Sequence, residues 1–176
     1  MSNPEQAAEA TPVAEVVPPT PTVLETTLAG LQQELGEHFL GTRLDRGETS
    51  VWVELAGWWN AANWIKKNSS YSWISDLTAV DYLERDPRFD LSMIVTSMDD
   101  KSCFRLKTLV GEDQVAPSLC SVWAGANWYE REIFDLFGIQ FSQHPNLRRI
   151  LLPADYTGHP LRKDYPVTGP AVSVYR

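Results

Sequence analysis

Three carboxylates and a histidine crowd one short stretch of this chain. They are Glu130, Glu132 and Asp135 in Asn127-Trp-Tyr-Glu-Arg-Glu-Ile-Phe-Asp-Leu-Phe137, and His144 just beyond it. Paired carboxylates near an imidazole are the raw material of general acid–base catalysis, provided that they can face one substrate. Glu130 and Glu132 cannot do so on a helix, because two residues of helix turn them about 160 degrees apart. Glu130, Asp135 and His144 remain the set that a stand-alone enzyme would have to use. No GxSxG elbow marks a nucleophile, and neither GxGxxG nor GxxxxGK[ST] occurs to cradle a phosphate.

Metal and redox chemistry have little to work with. Cys103 and Cys120 are the only cysteines and form no CxxC pair, and His38, His144 and His159 are dispersed. An iron–sulfur cluster takes about four ligands, mostly thiolates, so none is expected in this chain, and neither is a metal, a nucleotide cofactor or a disulfide framework. Free cysteines without a framework point to a reducing compartment.

The same stretch would place Tyr129, Ile133, Leu136 and Phe137 on one helical face, with Asn127, Glu130, Arg131 and Asp135 on another. Arg131 and Asp135, four apart, are expected to pair on a solvated face, where such a pair contributes about 0.3 to 0.5 kcal/mol. Two later runs set cations among apolar anchors. They are His144-Pro-Asn-Leu-Arg148-Arg149-Ile-Leu-Leu-Pro153 and Gly158-His-Pro-Leu-Arg162-Lys163-Asp164-Tyr165-Pro166. Such a mix either pins the segment to its own domain or docks it on another protein, where guanidinium groups give multidentate hydrogen bonding.

The elements that must position these residues follow from periodicity. Thr22 and Glu25 form a capping-box pattern, and Leu24, Leu28, Leu31 and Leu35 continue at helical spacing up to Gly36, predicting a helix over about 23–35. Thr49 to Leu55 reads as a strand after the turn-like Asp45-Arg-Gly-Glu48, and Trp58, Ala62 and Ile65 mark a helix to about Lys67. Ile74–Leu83, Phe89–Met98 and Cys103–Val110 predict an antiparallel meander. Pro117 suits a helix start, which predicts helical character over about 118–137 with a break at Gly125 and a stop at Gly138. The fold class expected is α+β, with an antiparallel or mixed sheet, helices packed on one face, and an extended C-terminal arm.

Length and composition agree with one domain plus a tail: 176 residues, of which 43% are hydrophobic, including seven tryptophans. Residues 1–21 hold Pro4, Pro12, Pro18, Pro19 and Pro21 among Ala, Thr and Glu and read as a disordered tail. Residues 22–137 form the core domain and 138–176 the arm. The net charge of −8 argues against nucleic acid or anionic lipid as partner. No apolar run reaches the roughly 18 to 20 residues that span a bilayer, and the start resembles no secretory or organelle leader.

One longer pattern adds to this reading. Glu130-Arg131-Glu132, two residues, Asp135-Leu136-Phe137, six residues, His144, three residues, Arg148, one residue, then Ile150-Leu151 resembles the signature of the complex I 30 kDa subunit family. Gly158-His-Pro-Leu-Arg162-Lys163-Asp164-Tyr165-Pro166 is similar to that family as well, and the resemblance covers about residues 25–170. The short length makes the chain most similar, within the family, to the cyanobacterial and chloroplast type found in NDH-1.

The resemblance implies a non-catalytic subunit of the hydrophilic arm of a proton-translocating NDH-1 complex. That complex would pass electrons from ferredoxin or NAD(P)H through iron–sulfur centres to plastoquinone, in respiratory and photosynthetic cyclic electron flow. Partners would be the large quinone-site subunit and the cluster-bearing subunits, which hold the clusters and quinone, with ferredoxin meeting the complex as a whole. The place implied is the cytoplasmic or stromal side of a thylakoid membrane, contacted only through the complex. Glu130, Arg131, Glu132, Asp135 and His144 would order the arm or meet a partner, with Arg148, Arg149, Arg162, Lys163 and Asp164 making charge-assisted contacts. A freestanding adaptor and a stand-alone enzyme remain the alternatives.

Overall fold

In the computed structural model, residues 22–168 are described, so the Pro-rich stretch 1–21 and the last residues of the arm lie outside the described residues. Thr22 caps α1 (Val23–Leu35) through the reciprocal bonds of a capping box with Glu25. The chain then forms a hairpin, β1 (Phe39–Asp45) and β2 (Glu48–Val53). Arg46 and Gly47, with φ of 51° and 84°, make its two-residue turn, the left-handed pair whose twist suits adjoining strands. After α2 (Trp58–Asn68) come the long strands β3 (Trp73–Asp81), β4 (Phe89–Thr96) and β5 (Cys103–Val110).

These strands make one five-stranded sheet in the order β1-β2-β5-β4-β3. All neighbours are antiparallel except β2 and β5, which run parallel, so the sheet is mixed. Alternation along the strands sends Val51, Val53, Leu77, Leu91, Met93, Val95, Phe104 and Leu106 into a core beneath the helices, to which Trp58, Ala61, Ala62 and Ile65 of α2 contribute. The expected α+β class, with helices on one face of a mixed sheet, describes this arrangement.

Three local features differ from expectation. β1 has no counterpart in the sequence reading, because an edge strand with four consecutive exposed residues has no burial alternation to announce it. Pro117 closes a short strand, β6 (Val115–Pro117), which pairs in parallel with β7 (Gln140–Ser142), instead of opening a helix. Helix α3 (Ala126–Phe137) accordingly starts only after Gly125. Residues 118–125 form turns, held by Trp59 Nε1 donating to Ser121 Oγ at 3.0 Å and Trp123 Nε1 donating to the Ser72 carbonyl at 2.9 Å.

Candidate functional site

α3 is buried on both sides. Its apolar face packs on the sheet, and the opposite face, expected to be solvated, holds Glu130 and Asp135 at 0% exposure and Arg131 nearly as deep. Glu132 alone among its charged residues is exposed. The pairing expected between Arg131 and Asp135 is absent; each reaches instead to a different part of the chain.

Glu130 points toward the turn before the helix. Its carboxylate accepts from Ser118 Oγ and from the Leu119 backbone N–H, both at 2.6 Å, and Cys120 Sγ lies at 3.5 Å. Burial pushes the Glu130 carboxyl up, and these donors, with His144 close by, offset part of the rise. Burial, reinforced by the neighbouring Glu130 charge, pushes the Cys120 thiol up to about 11. His144 Nε2 sits 4.0 Å from Glu130 and 3.3 Å from the Asn127 carbonyl, while Nδ1 accepts from the Asn146 backbone N–H at 3.0 Å. Cys120, Glu130 and His144 are close enough to suggest metal ligands. Both imidazole nitrogens are engaged by the backbone, however, and both carboxylate oxygens take protein donors, so a cation would have to break an already satisfied set.

Asp135 holds a strap, the run from Arg148 to Leu161. Its Oδ2 accepts from the successive backbone N–H groups of Ile150, Leu151 and Leu152 at 2.8–2.9 Å, a nest of the kind that backbone builds around anions. Its Oδ1 takes Arg149 Nη1 at 2.6 Å. Burial alone would raise the Asp135 pKa, but these donors outweigh it and hold the carboxyl below the usual carboxylate range. Arg131 completes the grip by donating to the carbonyls of Arg148 at 3.1 Å and Arg149 at 3.0 Å.

The strap in turn satisfies the end of the helix, where the last carbonyls lack intrahelical donors. Arg149 Nη1 and His159 Nδ1 donate to the Asp135 carbonyl, and the Leu161 N–H donates to Leu136. Gly138 ends α3 in the left-handed conformation at φ 81°, and a β-carbon there would meet His159 Cδ2 at 2.7 Å.

Beyond the strap lies a second anchor that sequence reasoning missed. Arg88, buried just before β4, forms a fork with Asp81 of β3 at 2.8 Å on each side and also reaches Asp164 at 2.8 Å and Glu112 at 3.2 Å. Arg162 pairs with Glu112, and the Lys163 backbone N–H donates to Asp81 at 2.7 Å. Hydrogen bonding to Arg88 is the main reason why the Asp81 and Asp164 carboxyls sit below their ordinary range, and its bonds to Asp81 raise the guanidinium above its own. Only spatial pairing, here across 76 and 82 residues, could reveal this anchor.

Of the cations expected at an interface, then, Arg149 and Arg162 are engaged within the chain. Among the described residues, the side chains of Arg148 and Lys163 make no ion pair, and Lys163 is exposed. Around them the arm presents Leu151 and Leu161 to solvent, Leu151 at 61% exposure.

Compared with known proteins, residues 51–171 match the family described as respiratory-chain NADH dehydrogenase, 30 Kd subunit. The C component of the NADH-quinone oxidoreductase of Geotalea uraniireducens is 40% identical over 147 residues, covering 83% of this chain and 90% of that protein. The protein of the same name from Bartonella bacilliformis is 42% identical, covering 85% of this chain and 74% of its own length. The mitochondrial NADH-ubiquinone oxidoreductase 30.4 kDa subunit of Neurospora crassa is 41% identical, covering 70% of this chain and 44% of its own length. Among solved structures, a chain of the membrane-bound sulfane sulfur reductase, an archaeal respiratory membrane complex, shares the fold with a TM-score of 0.70 at 17% identity, covering 81% of this chain and 85% of its own.

Proposed function

This chain belongs to the respiratory-chain NADH dehydrogenase 30 Kd subunit family, and from that premise we propose that it is a structural, non-catalytic subunit of a complex I-type quinone oxidoreductase. Its task is to hold the described part of the C-terminal arm, from Arg148 to Lys163, as a docking surface for neighbouring subunits. The observation that carries this reading is the strap itself. A buried carboxylate and a buried guanidinium are spent on fixing the backbone of a segment whose outer side shows Leu151, Leu161 and Lys163 to solvent. A segment ordered from beneath with apolar and cationic groups outward is built to be covered.

The carboxylates that an enzyme would need are already occupied. Glu130 and Asp135 accept from protein donors on both oxygens, which supports a positioning role over proton transfer. Iron–sulfur centres and quinone would then lie in partner subunits, the large quinone-site subunit and the cluster-bearing subunits being the neighbours that we propose. No helix among the described residues is long and apolar enough to cross a membrane, so we place membrane contact in the rest of the complex.

The finer expectation of ferredoxin, plastoquinone and a thylakoid membrane concerns the other subunits. The relatives are named for NADH, which favours NADH as donor. Membranes supplied in turn with NADH, NADPH or reduced ferredoxin, and with ubiquinone or plastoquinone, separate the respiratory from the photosynthetic form.

Arg148→Glu is the cleanest test of docking, because that side chain has no ion pair within the described residues to lose. The isolated variant should unfold like the parent while its incorporation into the complex falls. Incorporation at the parent level would refute the docking role.

A further inference from the structure

We propose that the free edge of β1, with the cationic concavity beside it, is a second docking site, and that its occupant is an extended segment of a neighbouring subunit with alternating apolar and acidic side chains. The proposal rests on the reading of this chain as a subunit of a larger assembly, and it concerns the end of the molecule opposite the sheet edge that α3 covers.

The two edges of the sheet are treated differently. β3 is overlaid by α3, with Tyr129 donating to the Ser75 carbonyl at 3.1 Å. β1 pairs only with β2 among the described residues, which leaves its outer N–H and C=O groups as a template for another strand. It also exposes Leu40 and Leu44, the latter at 72%. The edge carries a register irregularity between Phe39 and Gly41 and charges at Arg43 and Asp45, yet it still shows two leucines to solvent.

Register fixes what an added strand would meet. Thr42 and Leu44 lie opposite Val51 and Thr49 on the helix-bearing face, while Gly41 and Arg43 lie opposite Trp52 and Ser50 on the open face. On that open face is a concavity of about 410 Å³ walled by four cations, Arg43, Arg46, Arg105 and Lys107, against two carboxylates, Asp45 and Glu48. Arg105 is held by Glu48 at 3.1 Å, and Lys107 by Asp90 at 3.2 Å over the Trp52 ring. Arg43 reaches Asp45 only at 3.8 Å with both groups exposed, and Arg46 has no ion pair among the described residues. A cationic rim on a chain of net charge −8 selects for acidic groups.

The hairpin turn points the same way. Arg46 occupies a left-handed position where Asn, Asp or Gly sits with less strain, so turn geometry does not account for an arginine there. Strand addition supplies main-chain hydrogen bonds, and the pleat then sets one apolar residue beside Leu44 and an acidic one beside Arg43, in alternation. Residues 1–21 carry three glutamates but are broken by prolines that cannot donate to a ladder.

The test replaces Leu44 with the photo-cross-linker p-benzoylphenylalanine in a tagged full chain expressed in its native host, with irradiation of the isolated assembly and mapping of the adduct by mass spectrometry. The expected result is one light-dependent cross-link to an extended apolar and acidic segment of another subunit, with a yield that drops about tenfold when Arg43→Glu and Arg46→Glu are added. A cross-link to residues 1–21 or to a second copy, no cross-link within an assembled complex, or a yield indifferent to charge reversal would overturn the proposal. Recovery of the chain outside any assembly would instead overturn the functional reading on which it rests.

Discussion

The Asp135 carboxylate and the Arg149 guanidinium, fourteen residues apart, meet at 2.6 Å, and the same aspartate collects the N–H groups of the three residues that follow Arg149. One buried side chain thus fixes both the backbone and a side chain of the strap. Replacing it by asparagine keeps the volume but removes the charge and turns an amide N–H₂ toward donors. The expected cost for Asp135→Asn is about 3 kcal/mol, read by urea denaturation, with faster proteolysis at residues 145–165. Parent-like stability and protease resistance would show that the nest is incidental.

A second consequence concerns Gly138. Its left-handed backbone costs a residue with a β-carbon about 1 kcal/mol or more, and the contact with His159 adds to this. Gly138→Ala should lose about 2 kcal/mol, and His159→Ala in the same chain should recover the steric part but not the backbone part. Strictly additive losses in the double-mutant cycle would contradict the contact.

Stability should depend on pH in two opposed ways. Asp81, Asp135 and Asp164 have folded pKa values below their unfolded ones, so the stability they contribute is complete above about pH 4 and is lost as the pH falls through the lower folded values. Glu130 has a folded value above its unfolded one, so its ionised form costs stability at neutral pH, and the cost is relieved as the pH falls through that raised value. Denaturant titrations should show stability rising as the pH falls through the raised Glu130 value and falling below about pH 4. Glu130→Gln should abolish the rise and leave the fall; a rise that persists in the variant would assign it to another group.

Much of the fold is legible in the sequence. The capping box at Thr22, the apolar spacing of α2 and the β-rich runs of β3 to β5 all express burial against near neighbours, which local pattern records. The same pattern misleads at α3, because polar periodicity cannot tell a face turned to water from one turned to a strap that arrives later in the chain. Glu130, Arg131 and Asp135 stand out in the sequence, but their partners, the Ser118–Cys120 turn and the strap backbone, come from outside the helix. Arg88 stands in a run that reads only as a turn; its buried fork depends on Asp81 and Asp164, and no local signal joins those three.

The two cysteines should differ sharply in reactivity. Cys103 is exposed, whereas the Cys120 thiol, with its pKa pushed up to about 11, is only about one part in a thousand ionised at pH 8. Brief alkylation of the folded chain should label Cys103 and spare Cys120 until denaturant is added. Equal labelling would mean that the Glu130 pocket opens in solution.

On the reading proposed above, α3 holds the strap so that the chain can be built into a complex I-type assembly. The direct measurement is gentle affinity purification of the tagged chain and of its Asp135→Asn variant from host membranes, followed by native gel separation, mass spectrometry and quinone reductase assay. The parent chain should be recovered in a large, iron–sulfur-containing, quinone-reducing assembly, and the variant should be largely excluded from it. A parent chain recovered as a lone soluble protein, or a variant assembled as efficiently as the parent, would contradict it.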